Sequence, residues 1–175
     1  AEDVSGIINS SSADAAYTTV AATFDKQHGS CSNASGHNVW FKFVATTAHM
    51  KVTIERGGSK GTIRRINSVL WESDGSTEIA CKRYVSDNDN VVVEVVNGLT
   101  PGNTYYLSVD NNYSAYCGTF TLSLADNDIS YDYYEGAEDI SGIINSSSAD
   151  AAYTTVAATF DKQHGSCSNA SGHNV

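Results

Sequence analysis

The stretch VWFKFVATTAHMKVTIE, residues 39–55, decides the fold. Val39, Phe41 and Phe43 alternate with Trp40 and Lys42, and Met50, Val52 and Ile54 alternate with Lys51, Thr53 and Glu55. A period of two sends successive side chains to opposite faces of an extended chain, the pattern of a strand with one buried face. Further along, Tyr105, Leu107 and Val109 alternate with Tyr106, Ser108 and Asp110, and Phe120, Leu122 and Leu124 with Thr119, Thr121 and Ser123. AYTTVAATF (16–24), INSVLW (66–71), EIACKRY (78–84) and NVVVEVV (90–96) read as four more strands. Turn chemistry separates them in RGGSKG, SDGS, SDNDN, LTPGN and DNNYS. About eight short strands and no long helical period predict an all-β fold, an antiparallel jelly-roll-like β-sandwich. One helical turn is expected within residues 10–16, with Ser12 or Asp14 as its cap.

The chain also repeats itself. Residues 1–39 recur at 137–175 with a single change, Val4 becoming Ile140, so the repeat period is 136 residues. That is too long for a solenoid unit and suits a whole domain. Residues 1–136 are one full sandwich repeat and 137–175 the start of the next; equivalently, 1–39 is an end piece and 40–175 the full set of segments. The sequence therefore reads as a window on a tandem array. One of the two copies is surplus to a single sandwich, and a strand-forming surplus exposes unpaired edges, so it is expected to complete or pack on a neighbouring domain.

A net charge of −10 and a pI near 4.7 argue against nucleic acid as a partner, because phosphate binding needs a basic stripe. Each period holds three cysteines, Cys31, Cys81 and Cys117, with Cys167 the second copy of Cys31. An odd count points to one internal disulfide and one thiol that is free or paired between copies. Strand alternation favours Cys81 with Cys117, leaving Cys31 and Cys167 as free or inter-repeat thiols; the other pairings stay open.

HNVWFKFVATT (37–47), GGSKGTIRR (57–65), SVLWESDGSTEIACKRY (68–84), LTPGNTYYLSVDN (99–111) and YCGTFTLSL (116–124), in that order, resemble the pre-peptidase C-terminal type of β-sandwich. With YDYYEGA (131–137) they are similar to the tandem repeats of giant surface adhesins and appendage proteins of gliding bacteria. The resemblance implies a jelly-roll-like sandwich, export to the cell surface and a part in attachment; a grappling-hook filament is one candidate appendage.

The acidic run at the repeat junction gathers Asp126, Asp128, Asp132 and Glu135, hard oxygen donors of the kind that hold Ca²⁺. It lacks EF-hand spacing and reads first as a solvated linker. Asp87 and Asp89 in SDNDN form a second, weaker candidate against a plain hairpin turn. Asp25, His28, Cys31 and His37 superficially match zinc spacing, but a Gly/Ser-rich loop with one thiol does not make a closed four-ligand site. Arg56, Lys60, Arg64, Arg65, Lys82 and Arg83 cluster in the middle of an acidic repeat, where a basic face could meet a neighbour's acidic one and set the register of assembly. Paired tyrosines, Tyr105 with Tyr106 and Tyr133 with Tyr134, suggest stacking on sugars. No nucleophile elbow, metalloprotease helix or phosphate-binding loop is present.

The sequence thus predicts a non-enzymatic structural or adhesive repeat of a very large secreted surface protein. Its expected partners are other copies of the same repeat, in a homo-oligomer or filament, and glycans on a cell, prey or host surface, with no membrane insertion of this segment. A carbohydrate-binding module and an accessory domain of a secreted hydrolase are the alternatives.

Overall fold

The computed structural model describes residues 1–31, 36–84, 90–127 and 138–153. Two compact units are present, residues 1–126 and 127–175. The first is an all-β sandwich. Its strands are β1 (Glu2–Asp3), β2 (Ser10–Ser11), β3 (Tyr17–Thr18), β4 (Val39–Val44), β5 (Met50–Glu55), β6 (Ile66–Trp71), β7 (Glu78–Arg83), β8 (Val91–Val96), β9 (Thr104–Asn111) and β10 (Thr119–Asp126). One sheet runs β1-β4-β9-β6-β7 and the other β3-β10-β5-β8. Within these two sheets the strand pairings are antiparallel except β1 with β4, and an isolated parallel bridge joins Ile8 to Leu124.

The period-two segments form the long strands, and their apolar sets meet between the sheets. Phe41, Phe43, Tyr105, Leu107, Val109, Ile66 and Leu70 face Met50, Val52, Ile54, Val92, Val96, Phe120, Leu122 and Leu124 in one core. At about 25 cal/mol for each Å² of apolar surface removed from water, this interlayer is the main source of stability.

Two expectations fail locally. In 16–24 only Tyr17–Thr18 is strand, because Ala21 takes φ 64° and the Ala22 N–H turns back to the Thr19 carbonyl. The helical turn lies at Ser5–Ile7, while 10–16 holds β2 and a bend with Ala15 at φ 53°. Asp14 does not cap; its carboxylate accepts hydrogen bonds from Lys60 Nζ (2.7 Å) and Ser59 Oγ (2.6 Å).

Residues 2–19 close the side of the sandwich between β4 and β10. Val4 is 2% exposed and belongs to the core, with Ile7, Ile8 and Tyr17 packed against it. The Tyr17 ring meets Phe41 edge-on at 4.7 Å. Backbone N–H groups of Asn9, Ser12 and Thr19 donate to the carbonyls of Leu124, Leu122 and Gly118, so the β10 edge is paired along its length.

The opposite side, between β7 and β8, carries a charge in the core. Val92, Glu94 and Val96 point inward from β8, and Glu94 is 5% exposed. Ser68 Oγ donates to Glu94 Oε2 at 2.8 Å, while the buried Oε1 accepts from no protein group among the described residues. Burial pushes this carboxyl up from 4.5 to about 7, against the Ser68 hydrogen bond and Lys82, and with help from Glu78. A raised acid is protonated in both folded and unfolded chains below about pH 4.5, so its cost is absent there; the cost grows as pH rises through about 7. A shift of this size corresponds to roughly 3 kcal/mol. Urea melts from pH 4.5 to 8 should therefore show stability falling with pH, and Glu94→Gln should flatten that slope; an unchanged slope would refute the assignment.

Candidate functional site

On the first sheet, Trp40, Ser108, Val69 and Cys81 stand in one row across β4, β9, β6 and β7. They point away from the main core, yet Val69 is buried, with Gly29 of the loop 24–31 against it, and Trp71 is buried beside Trp40, the ring centroids 5.9 Å apart. Trp71 Nε1 donates to Ser108 Oγ at 2.9 Å. Gly29 sits against Val69 and Cys81: a Cβ there would come within 2.4 Å of Val69 Cγ2 and 2.8 Å of Cys81 Sγ. Asn38 and Asp25 exchange two hydrogen bonds, Ser30 donates twice to Glu78, and Gln27 donates to the Ser76 carbonyl.

This covering loop carries Cys31 to Cys81, and the two form a disulfide with Cα atoms 5.8 Å apart. The expected Cys81–Cys117 pair is thus incorrect. Cys81 shares the outer face with Val69, whereas Cys117 follows the turn Ser114–Tyr116 into the other sheet and stands 3.6 Å from Asn111 Oδ1 as a free thiol. Cys31 is accordingly not left over, and as half of a disulfide it offers no thiolate to a metal. Cys167 lies outside the described residues.

The six basic residues separate. Arg64, Arg65 and Arg83 converge with three tyrosines at one end of the sandwich: Arg64 lies 4.7 Å from the Tyr116 ring, Arg65 5.0 Å from Tyr116 and 5.6 Å from both Tyr84 and Tyr113, and Arg83 6.0 Å from Tyr84. Tyr113 and Tyr116 pack edge-on at 5.6 Å, and Asn112 Nδ2 donates to Tyr84 Oη at 2.9 Å. Tyr113 is 56% exposed. Each such cation–ring contact contributes about 0.5–1 kcal/mol at an exposed site and holds the guanidinium plane in place. The result is a rigid positive and aromatic platform. Lys60 is instead tied to Asp14, Lys82 lies beside Glu94, and Arg56 follows β5 with its backbone N–H on the Asn90 carbonyl.

The acidic candidates divide too. Asp126 Oδ1 accepts from Thr46 and Thr47, and Oδ2 from Asn9 Nδ2 at 2.6 Å, so both oxygens serve to tie three segments together. Partial burial would raise this carboxyl, but the hydrogen bonds from Thr46, Asn9 and Thr47 outweigh it and hold the group below the usual range. Asp128, Asp132, Glu135, Asp87 and Asp89 lie outside the described residues, as do Tyr133 and Tyr134. Among the described residues no cluster of three or more His, Cys, Asp or Glu is placed to hold a metal ion, and no helix is long and apolar enough to cross a membrane. Tyr105 is a core residue whose hydroxyl accepts the Thr100 N–H at 2.8 Å, so it offers no ring to a sugar.

Sequence reading missed Tyr84, Tyr113 and Tyr116. The signal available was YSAY, two rings three residues apart after a strand, which one tight turn brings onto the same side.

No family model matches the chain, and no curated protein is significantly similar to it. It is similar to the solved pre-peptidase C-terminal domain of collagenase from Bacillus anthracis, at 21% identity and a TM-score of 0.37, over 50% of this chain and 75% of that one. That likeness is too slight to add to the strand pairing already described.

A disulfide closing a loop of this length typically contributes about 2–4 kcal/mol. Non-reducing peptide mapping should find Cys31 joined to Cys81, and Cys31→Ser should lower the denaturation midpoint accordingly. A Cys81–Cys117 peptide in the map would reverse the assignment.

Proposed function

We propose that this chain is a non-catalytic repeat module of a very large extracellular surface protein, in which tandem sandwiches give length and contacts between copies build arrays or filaments for attachment. The observation that carries this reading is the near-identity of residues 1–39 and 137–175, together with the first copy's being woven into the sandwich as strands β1–β3. A mechanical array gains from many equal bricks, whereas one competent site would suffice for catalysis. The disulfide supports it further: Cys31–Cys81 suits an oxidising compartment such as the cell exterior. The contact surface we favour is the Arg64, Arg65 and Arg83 platform, opposed by a neighbour's acidic residues; with net charge −10, copies repel unless such pairs offset the charge.

Tyr113, exposed beside Asn112, Tyr116 and Arg65, favours a second reading, a carbohydrate-binding module whose rings stack on sugars. An accessory domain of a secreted hydrolase is a third, and a catalytic domain elsewhere in the same gene would promote it.

Electron microscopy of the purified chain across a concentration series, beside a glycan array, separates the first two. Concentration-dependent fibres or rings, loosened in low salt by Arg64→Glu with Arg65→Glu, are the expected outcome. Glycan binding by a chain that stays dispersed, lost on Tyr113→Ala, would replace the first reading by the second.

A further inference from the structure

The second unit contains the duplicate of the segment that closes the first. Its described part, residues 138–153, repeats the local conformation of residues 2–17 almost angle for angle. The turn Ser141–Ile143 matches Ser5–Ile7; Ile140 has φ −93° and ψ 12° where Val4 has −112° and 16°; and Ile144 has −60° and 127° where Ile8 has −63° and 133°. Asn145 and Asn9 both take φ 62°, and Ala151 and Ala15 take 54° and 53°. The supporting hydrogen bonds recur as well: Ser141 N–H to Asp139 Oδ1 at 2.9 Å answers Ser5 N–H to Asp3 Oδ1 at 3.1 Å.

What differs is burial. Val4 is 2% exposed, but Ile140 is 56%, and Ile144 is 71% where Ile8 packs on the core. Side chains that the first copy buries against β4 and β10 are thus held out in solvent by the second, on a backbone already shaped to bury them. Shaping a segment in advance removes much of the ordering entropy that docking would otherwise cost.

From this pair of observations we propose that residues 138–153 are a docking segment, and that their seat is the β4–β10 side of a second copy of this chain, where they replace residues 2–17 position for position. The structure itself displays the bound state, since residues 2–17 occupy that seat with the same sequence apart from Val4. Ile140 adds one methylene at the Val4 position. The Cys31–Cys81 disulfide lies beyond the exchanged stretch, so exchange leaves it intact. Because donor segment and seat are different surfaces of the chain, the contact is heterologous: passed from chain to chain it builds a line or a ring, and exchanged reciprocally it closes a pair. In the unaltered chain the seat is held by its own residues 2–17, whose tether gives them a high effective concentration, so exchange needs that occupant weakened or outnumbered. The inference goes beyond the adhesive reading and survives its failure, since a glycan-binding sandwich could dock in the same way.

The test uses two full-length chains. The acceptor carries Val4→Asp, which empties its seat, and Ile140→Asp, which disables its own second copy; the donor is the unaltered chain. Sedimentation velocity of the mixture should show a two-chain species that neither chain forms alone, and Ile140→Asp in the donor should weaken it at least tenfold. If the acceptor is unfolded by itself, recovery of its β-sheet circular dichroism on adding donor is the readout. An acceptor with the milder Val4→Thr, in the Ile140→Asp background, gives the same measurement in a folded chain. No two-chain species with either acceptor, or complexes indifferent to Ile140, would overturn the proposal.

Discussion

Two sheets packed face to face leave two sides where edge strands present unpaired backbone groups, and the stability of this sandwich depends on how one of them is closed. On the β4–β10 side, residues 2–19 supply both what the backbone needs and what the core needs. Their N–H groups satisfy the Leu124, Leu122 and Gly118 carbonyls, and Val4, Ile7, Ile8 and Tyr17 fill the gap between the layers. Neither contribution would suffice alone: a polar strand would pair β10 but leave Phe41 and Phe120 wet, and an apolar segment without pairing would bury orphan carbonyls. The segment that does both is also the one the sequence duplicates, which ties the architecture of one sandwich to the organisation of the chain.

The other side is closed less well. There β7 and β8 bring Glu94 inside, with one hydrogen bond from Ser68 and a nearby Lys82, an arrangement that costs stability wherever the carboxyl is ionised. The outer face of the first sheet is protected differently again, by a loop held at Cys31, Ser30, Gln27 and Asp25 with Gly29 against Val69. Covalent fixing suits that position: the loop buries little apolar surface of its own, and the disulfide removes the entropy that would otherwise favour its release.

These three regions also mark what the sequence could and could not reveal. The long strands were legible because Phe41 and Phe43, or Leu122 and Leu124, obey a period that water imposes on any half-buried strand. The disulfide was not, since alternation assigns Cys81 to a face without saying that a distant loop will cover it; nothing local in Gly29 or Cys31 names Val69 as the neighbour. The arginine platform escaped for the same reason, since Tyr84 and the Tyr113–Tyr116 pair come from segments far apart in the chain. Glu94 was legible and overlooked: in VVVEVV it occupies the register of Val92 and Val96, so a buried carboxyl follows from the period alone. For 16–24 propensity misled, because Tyr, Thr and Val favour a strand but β10 has room to pair only Tyr17 and Thr18 there before the chain turns at Thr19.

The duplicated segment separates local from tertiary causes with unusual clarity. Residues 138–153 keep the turn, the positive φ values at Asn145 and Ala151, and the Asp139 hydrogen bond, although Ile140 and Ile144 are not buried. The Asp-x-Ser cap and Asn145, a residue type that tolerates left-handed backbone, favour that conformation locally, whereas Ala151 holds a positive φ that its Cβ disfavours. Extended pairing is another matter: residues 2–3, 10–11 and 17–18 become β1, β2 and β3, whereas the corresponding positions in the second copy are not strand among the described residues. Strand character here is supplied by β4 and β10. A segment built this way keeps its turns without a sheet edge and becomes strand where β4 and β10 offer one.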